Sequence, residues 1–222
     1  MIKAVLLDMD GTLVNTLEDL AAAVNYAFAQ YGLAPRPVEN FRAYAGSGTK
    51  TMLERALGDE AAPVPVETLL KVYSNYYKTH FCDRTQPYPG MVQTVEALHA
   101  QGLKLGVVTN KIQYMSEQLA KRFFPGCFST VQGQRDPYPT KPDPALPRMA
   151  AAALGVQPEE CLFVGDSDID VLTAHNFGAK AIGALWGFRT REELAGQGAE
   201  YLIADPREIL HIVEGENHVR KG

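Results

Sequence analysis

Residues 1–7, Met-Ile-Lys-Ala-Val-Leu-Leu, form a mostly apolar run that stops abruptly at Asp8-Met9-Asp10-Gly11. A short run of this kind predicts a strand buried on both faces, as in a parallel sheet. The pattern returns at residues 103–108 and 161–164. Shorter versions lie at 128–131, 179–183 and 201–203. Helical patterns fill the gaps: about 113–122, from Asp143-Pro144 to Leu154, and about 169–176. Asp143 is the expected N-cap, with Pro144 at the first helical position. Gly155 and Gly178 are the expected stops. Alternating strands and helices predict an α/β fold, a doubly wound parallel-sheet (Rossmann-like) core with helices on both faces. Right-handed crossovers then bring every strand C-terminus to one edge.

Residues from about 15 to 83 break the alternation. Three helical patterns, at 17–31, 50–57 and 66–81, follow one another with no convincing strand between them. The expected organisation is therefore a core of residues 1–14 and 84–222, interrupted by a small helical domain of residues 15–83. Pro87-Tyr88-Pro89-Gly90 punctuates the return to the core.

Three of the buried strands end in chemically useful residues. These are Asp8 and Asp10; Thr109-Asn110-Lys111; and Asp166-Ser167-Asp168-Ile169-Asp170 after Gly165. Carboxylates two residues apart on a strand face the same way. Their repulsion is costly unless a cation or a reacting group lies between them. Several carboxylates on one edge suit a hard divalent cation with oxygen ligands, Mg²⁺ above all. A carboxylate can attack phosphorus to form an aspartyl-phosphate. A metal offsets its repulsion from a phosphate dianion, and a Thr hydroxyl, backbone amides and a Lys hold the phosphoryl oxygens.

Bulk properties narrow the partners. Of 222 residues, 46% are hydrophobic and 21% charged, as in ordinary globular chains. Lys and Arg number 21 against 26 Asp and Glu, giving −5 with no basic tract, which argues against nucleic acid. A small anionic substrate remains compatible, since a few local cations suffice. Cys82, Cys127 and Cys161 are far apart and form no C-x-x-C, so they read as buried or incidental thiols. Asp8 and Asp10 interrupt the first apolar run before it reaches signal-peptide length. No run approaches the ~18 apolar residues of a membrane span. A cytoplasmic protein without membrane or nucleic-acid partners is expected, as a monomer or homodimer.

Asp8-Met9-Asp10-Gly11-Thr12, Val108-Thr109-Asn110, Lys141-Pro142 and Val164-Gly165-Asp166-Ser167 with Asp170 resemble the four ordered motifs of the haloacid dehalogenase superfamily. The helical insert resembles that superfamily's α-helical cap, and the motifs are similar to those of its phosphoglycolate-phosphatase-like members. The resemblance implies a Mg²⁺-dependent phosphatase acting on a small phosphorylated metabolite, with 2-phosphoglycolate the leading substrate. It makes Asp8 the nucleophile and a metal ligand, and Asp10 the acid for the leaving alcohol and then the base for water. The Asp10 carbonyl and Asp166 complete the protein ligands of the metal. Thr109, Asn110 and Lys141 hold the phosphate, and Asp170 supports Lys141 or the metal waters. The cap loop Gly46-Ser47-Gly48-Thr49 is expected to help choose substrates. Relatives often carry Asp-Ser where this chain has Asn15-Thr16, which leaves the chemistry intact and bears on the substrate. A phosphosugar mutase shares cap, metal and phospho-aspartate, although Thr12 favours hydrolysis in the family pattern. A receiver-type phospho-acceptor module is the further alternative, but it has no large insert after its first strand.

Several features are set aside. Asp166-Ser167-Asp168 begins like a calcium loop, but Val171 and Phe177 occupy the positions that need Gly and Glu. Gly46-Ser47-Gly48-Thr49-Lys50 lacks the Gly directly before Lys and the preceding strand of a nucleotide-binding loop. Asp168 reads as a solvated acid at a helix start. Trp186-Gly187-Phe188-Arg189 reads as packing and a loop. Lys111 is a second cation beside the same strand end, its role open.

Overall fold

The structure, a computed structural model, describes residues 1–60 and 63–219. The chain divides into two compact units, Asn15–Gln86 and the remainder. The larger unit holds six parallel strands: β1 (Ala4–Leu7), β4 (Lys104–Ile112), β5 (Thr130–Gln134), β6 (Cys161–Gly165), β7 (Lys180–Ala184) and β8 (Tyr201–Ile203). Their spatial order is β5-β4-β1-β6-β7-β8. This is the doubly wound order, in which the direction of winding reverses at the first strand. The reversal opens a crevice at the C-terminal end of β1, where Asp8 stands.

Alternation along the strands supplies both faces of the core. Ala4, Leu6, Cys161, Phe163 and Ala181 pack with α7 (Ala145–Leu154), α8 (Asp168–Phe177) and Leu194 of α9 (Arg191–Gly196). Val5, Leu7, Leu105, Val107, Leu162 and Val164 point the other way and are also fully buried. On the sheet, α5 (Met91–Ala100) packs against β4, α6 (Gln113–Phe123) against β4 and β5, and α10 (Glu208–Val219) against α5. No helix among the described residues is long and apolar enough to cross a membrane.

The smaller unit is helical: α1 (Leu17–Ala29), α2 (Phe41–Tyr44), α3 (Thr49–Leu57) and α4 (Val66–His80). The chain leaves and returns through β2 (Val14–Asn15) and β3 (Gln86–Pro87), which pair as a two-stranded sheet. This unit ends three residues beyond the expected 83. The cause is Asp19 on α1, whose carboxylate accepts from Arg84 N at 3.0 Å, Thr85 N at 2.9 Å and Thr85 Oγ1 at 2.6 Å. The short α2 went unforeseen because four residues carry no readable period. The buried Phe41 ring anchors it.

Three core boundaries also differ from expectation. β4 continues through Thr109, Asn110 and Lys111 instead of ending before them. β5 starts at Thr130, because Phe128 packs edge-on against Phe124, with ring centroids 5.6 Å apart, and so stays in the preceding turn. α7 starts at Ala145, with Pro144 rather than Asp143 at the cap. Asp143 still serves the helix from one residue back, its Oδ1 accepting from Ala145 N at 2.8 Å.

Candidate active site

Asp8 continues the β1 ladder, its N–H donating to Val164 O at 2.9 Å. This hydrogen bond fixes the residue beside the end of β6. Asp166 follows β6 directly, and Asp170 lies in the first turn of α8. Ser167 caps that helix in a reciprocal capping box: Ser167 Oγ accepts from Asp170 N, while Asp170 Oδ2 accepts from Ser167 N at 3.0 Å. All three acids are buried, and each offers an oxygen within 4.8 Å of the others.

Lys141 is the buried cation among them. Its Nζ lies 2.6 Å from Asp170 Oδ1 and 2.9 Å from Asp8 Oδ1, with the Phe163 ring centroid 5.8 Å away. Asn110 orients it from β4. The Asn110 side chain accepts from Lys141 N at 2.7 Å and donates to Lys141 O at 3.2 Å. This side chain, expected to hold phosphoryl oxygens, holds the Lys141 peptide with one of its two amide hydrogens and with its oxygen. Burial lowers the Lys141 pKa, but Asp170 and Asp8 outweigh it, and the ammonium ends well above its ordinary value. Burial raises the Asp8 carboxyl and Asp170 adds to it. The Lys141 charge and the Thr109 hydroxyl pull back only partly, leaving Asp8 at about 6. Burial, then Asp170 and Asp8, also hold Asp166 well above the carboxylate range, against donors from Phe188 N and Thr12 Oγ1.

Asp166 sits in a cradle. Thr12 Oγ1 donates to its Oδ1 and Phe188 N to its Oδ2, both at 2.8 Å. A Cβ on Gly11 would fall 2.2 Å from Asp166 Oδ2, and one on Gly187 would fall 2.2 Å from Asp166 Cβ. Gly11 also has φ +89°, a region open chiefly to glycine. Likewise, a Cβ on Gly165 would overlap Asp170 at 2.1 Å. The Trp186–Phe188 loop, read from sequence as packing, therefore supplies a wall and a donor to the site. Trp186 Nε1 pins it by donating to Thr12 O at 3.0 Å. Gly187→Ala is expected to push Asp166 out of place, costing about 1–3 kcal/mol of stability through overpacking. It should also remove Mg²⁺-dependent thermal stabilisation, as a thermal-shift titration would read.

These donors fit a hard divalent cation. Only oxygen ligands are offered, and two of the three acids are ionised reluctantly. Although Lys141 lies nearby, Asp8 Oδ1 is buried with no donor aligned on it as a hydrogen bond. Both Asp170 oxygens are already engaged, by Lys141 and by Ser167. Each Asp166 oxygen accepts one hydrogen bond, whereas Asp170 Oδ2 alone accepts three, from Asp166 N, Ser167 N and Ser167 Oγ, so Asp8 and Asp166 are the carboxylates with capacity for a metal.

The remaining expected residues divide. Thr109 is buried on β4, its Oγ1 accepting from Lys111 N at 3.2 Å. The Asp10 carboxylate stands outside the three-acid cluster and faces Lys111, whose Nζ lies 3.0 Å from Oδ1. Asp168, at the start of α8, pairs with Arg189 Nε at 3.4 Å. Gly46, Ser47, Gly48 and Thr49 belong to the helical unit, where Thr49 opens α3. Lys111, whose role the sequence left open, thus stands against Asp10, and Thr12, quoted from sequence only within the first motif, proves to hold Asp166, while Gly187 and Phe188 were not singled out as parts of the site. For Gly187 and Phe188 no signal existed, since a backbone N–H and an absent Cβ act there.

Residues 5–184 match the family pattern of haloacid dehalogenase-like hydrolases. A phosphoglycolate phosphatase of Mannheimia succiniciproducens is 33% identical over 219 residues, covering 95% of this chain and 98% of that protein. An N-acetylmuramic acid 6-phosphate phosphatase of Pseudomonas aeruginosa is 31% identical, covering 96% and 95%. Among solved structures, a candidate phosphoglycolate phosphatase of Lactobacillus delbrueckii subsp. bulgaricus superposes with a TM-score of 0.89 at 33% identity, covering 95% of this chain and 98% of that one.

Proposed function

This chain belongs to the haloacid dehalogenase-like hydrolases and is a phosphatase, and from that premise we propose that it hydrolyses 2-phosphoglycolate through a phosphorylated Asp8. The observation that carries the proposal is the pairing of buried Asp8 with Lys141 next to Asp166 and Asp170, one cation among three acids. An Asp8 carboxylate oxygen attacks phosphorus while Asp10 delivers a proton to the departing alkoxide oxygen. Asp10, now ionised, takes a proton from the water that attacks the aspartyl-phosphate. Inorganic phosphate leaves and the Asp8 carboxylate is restored. Lys141 covers the charge on Asp8 and on the phosphoryl oxygens, and Thr109 adds a hydroxyl donor. Asp8, Asp166 and the Asp10 carbonyl would hold Mg²⁺, which supplies positive charge between the nucleophile and the phosphate dianion. Substrate selection by Gly46-Ser47-Gly48-Thr49 is part of the same proposal.

Two features support the substrate class. An acid at Asp10 is useful only when the leaving group is a poor one, such as an alkoxide. Relatives similar over nearly the full chain are named for phosphoglycolate and for a sugar 6-phosphate. The test is phosphate release with Mg²⁺ across 2-phosphoglycolate, hexose 6-phosphates, N-acetylmuramic acid 6-phosphate and nucleoside monophosphates. The expected result is a kcat/KM for 2-phosphoglycolate at least about tenfold above the others, equivalent to about 1.4 kcal/mol of transition-state preference. Preference for a sugar phosphate would overturn the substrate. Isomerised sugar phosphate without released phosphate would overturn hydrolysis.

A further inference from the structure

Lys111 takes no part in the reaction as written above, yet the fold goes to some length to place it. Val108 pairs with Gln132 and Ile112 with Gln134, so β4 advances four residues while β5 advances two. An irregularity of this kind re-aims side chains and is frequent beside active sites. Thr109 Oγ1 accepts from Lys111 N inside it. Gly133 makes room on the neighbouring strand, where a Cβ would lie 2.7 Å from Lys111 O. The outcome is an ammonium 3.0 and 3.3 Å from the two oxygens of Asp10. The Lys111 side chain is 3% exposed, against 22% for Asp10. A solvated loop lysine would not be folded in this way, since a buried charge is costly unless paired.

The two lysines divide the acids between them. Lys141 serves Asp8 and Asp170, whereas Lys111 serves Asp10. The Asp10 backbone is held in a tight turn, with Leu13 N and Val14 N donating to Met9 O and Gly11 N to Val14 O. The turn fixes Cα but leaves the carboxylate free to rotate, and Lys111 supplies a contact to both of its oxygens. We propose that Lys111 is a positioning residue for proton transfer, acting through Asp10 and not on the phosphoryl group. The proposal rests on the acid/base role given to Asp10 above. A proton donor must lie within about 2.6–3.2 Å of its target, and small misplacements cost on the order of 100-fold.

The test compares Lys111→Met, Lys111→Arg, Asp10→Asn and the double variant Lys111→Met/Asp10→Asn on an alkyl phosphate and on p-nitrophenyl phosphate. Departure of nitrophenolate needs no acid, and kcat/KM reports the steps up to that departure. For Lys111→Met, kcat/KM on the alkyl ester should fall about 100-fold, and on the aryl ester less than about fivefold. The aryl kcat should fall further than the aryl kcat/KM, because water attack still needs the base. Lys111→Arg should restore much of the loss. The double variant should be no worse than Asp10→Asn alone. Equal losses on both esters, no loss on either, or additive losses in the double variant would overturn the proposal. If Lys111→Met does not fold, Lys111→Gln takes the same comparison. Failure of the Asp10 role itself is distinguishable, because Asp10→Asn would then keep alkyl-ester activity.

Discussion

Asp8→Asn is expected to abolish phosphate release and, in chelator at pH 7.5, to make the protein more stable. The first effect follows from loss of the nucleophile, the second from loss of a buried charge. A carboxyl raised from 3.8 to about 6 by burial and by Asp170 is more costly to ionise in the folded protein than in the unfolded chain. The sign follows from linkage. Because the folded-state value is the higher one, the contribution to stability is complete below about pH 4 and lost as pH rises through 6. Above that, ionised Asp8 costs the fold on the order of 3 kcal/mol at 1.36 kcal/mol per pH unit. Asparagine is never ionised and escapes this cost. The variant should therefore melt roughly 6–12 °C above the wild type at pH 7.5. The difference should narrow as pH falls and close toward about pH 3, where Asp8 is protonated in the folded and the unfolded states alike. Thermal melts across this range decide the matter. Equal melting points at pH 7.5 would contradict the assigned cause, and residual turnover would contradict the nucleophile.

Lys141→Met is expected to have the opposite effect on stability. It leaves Asp8, Asp166 and Asp170 buried within 4.8 Å of one another with no ammonium among them. Removing one member of a buried ion pair typically costs 3–5 kcal/mol, because the other charge is stranded. A fall in melting temperature of roughly 10 °C is expected at pH 7.5 in chelator. Mg²⁺ should recover more of it in the variant than it adds to the wild type, since a divalent cation meets the same uncompensated charge. Activity should fall about 100- to 1,000-fold even with Mg²⁺ present, because charge stabilisation at the phosphoryl group is gone. The experiment pairs thermal melts, with and without Mg²⁺, with phosphate release. A variant as stable as the wild type would mean that Lys141 does not neutralise this cluster.

Opposite signs from two partners of one ion pair are diagnostic. A pair that merely cemented the fold would lose stability when either partner was removed. Here the acids are in excess, so deleting an acid relieves the fold and deleting the base strains it. Such excess is characteristic of a functional site, where an arrangement suited to a reaction is maintained at some loss of stability.

The core was readable because burial on both faces of a parallel sheet leaves a near-continuous apolar run. Residues 161–164 and 201–203 carry that mark, and their strands lie within a residue of expectation. Asp8 and Asp166 were readable because charged groups at the ends of such runs have few structural explanations, whereas Lys141, in a loop, was readable only through its place in the order of motifs. The boundary at residue 83 was not readable, since the contacts of Asp19 with Arg84 and Thr85 span some 65 positions. The start of β5 was missed because Phe128 obeys an aromatic neighbour rather than strand alternation.

The local order of apolar and acidic residues thus determined the fold class, the site edge and the set of acids on it, for periodicity and burial are properties of short segments. Which lysine meets which acid, that Asn110 orients Lys141, and that Gly11 and Gly187 wall in Asp166 were decided only in three dimensions. Each of these depends on distances between segments far apart in the chain. In the case of Lys111, it depends on two extra residues in β4 that turn a side chain toward Asp10, and no count of residues along the chain foretells that turn.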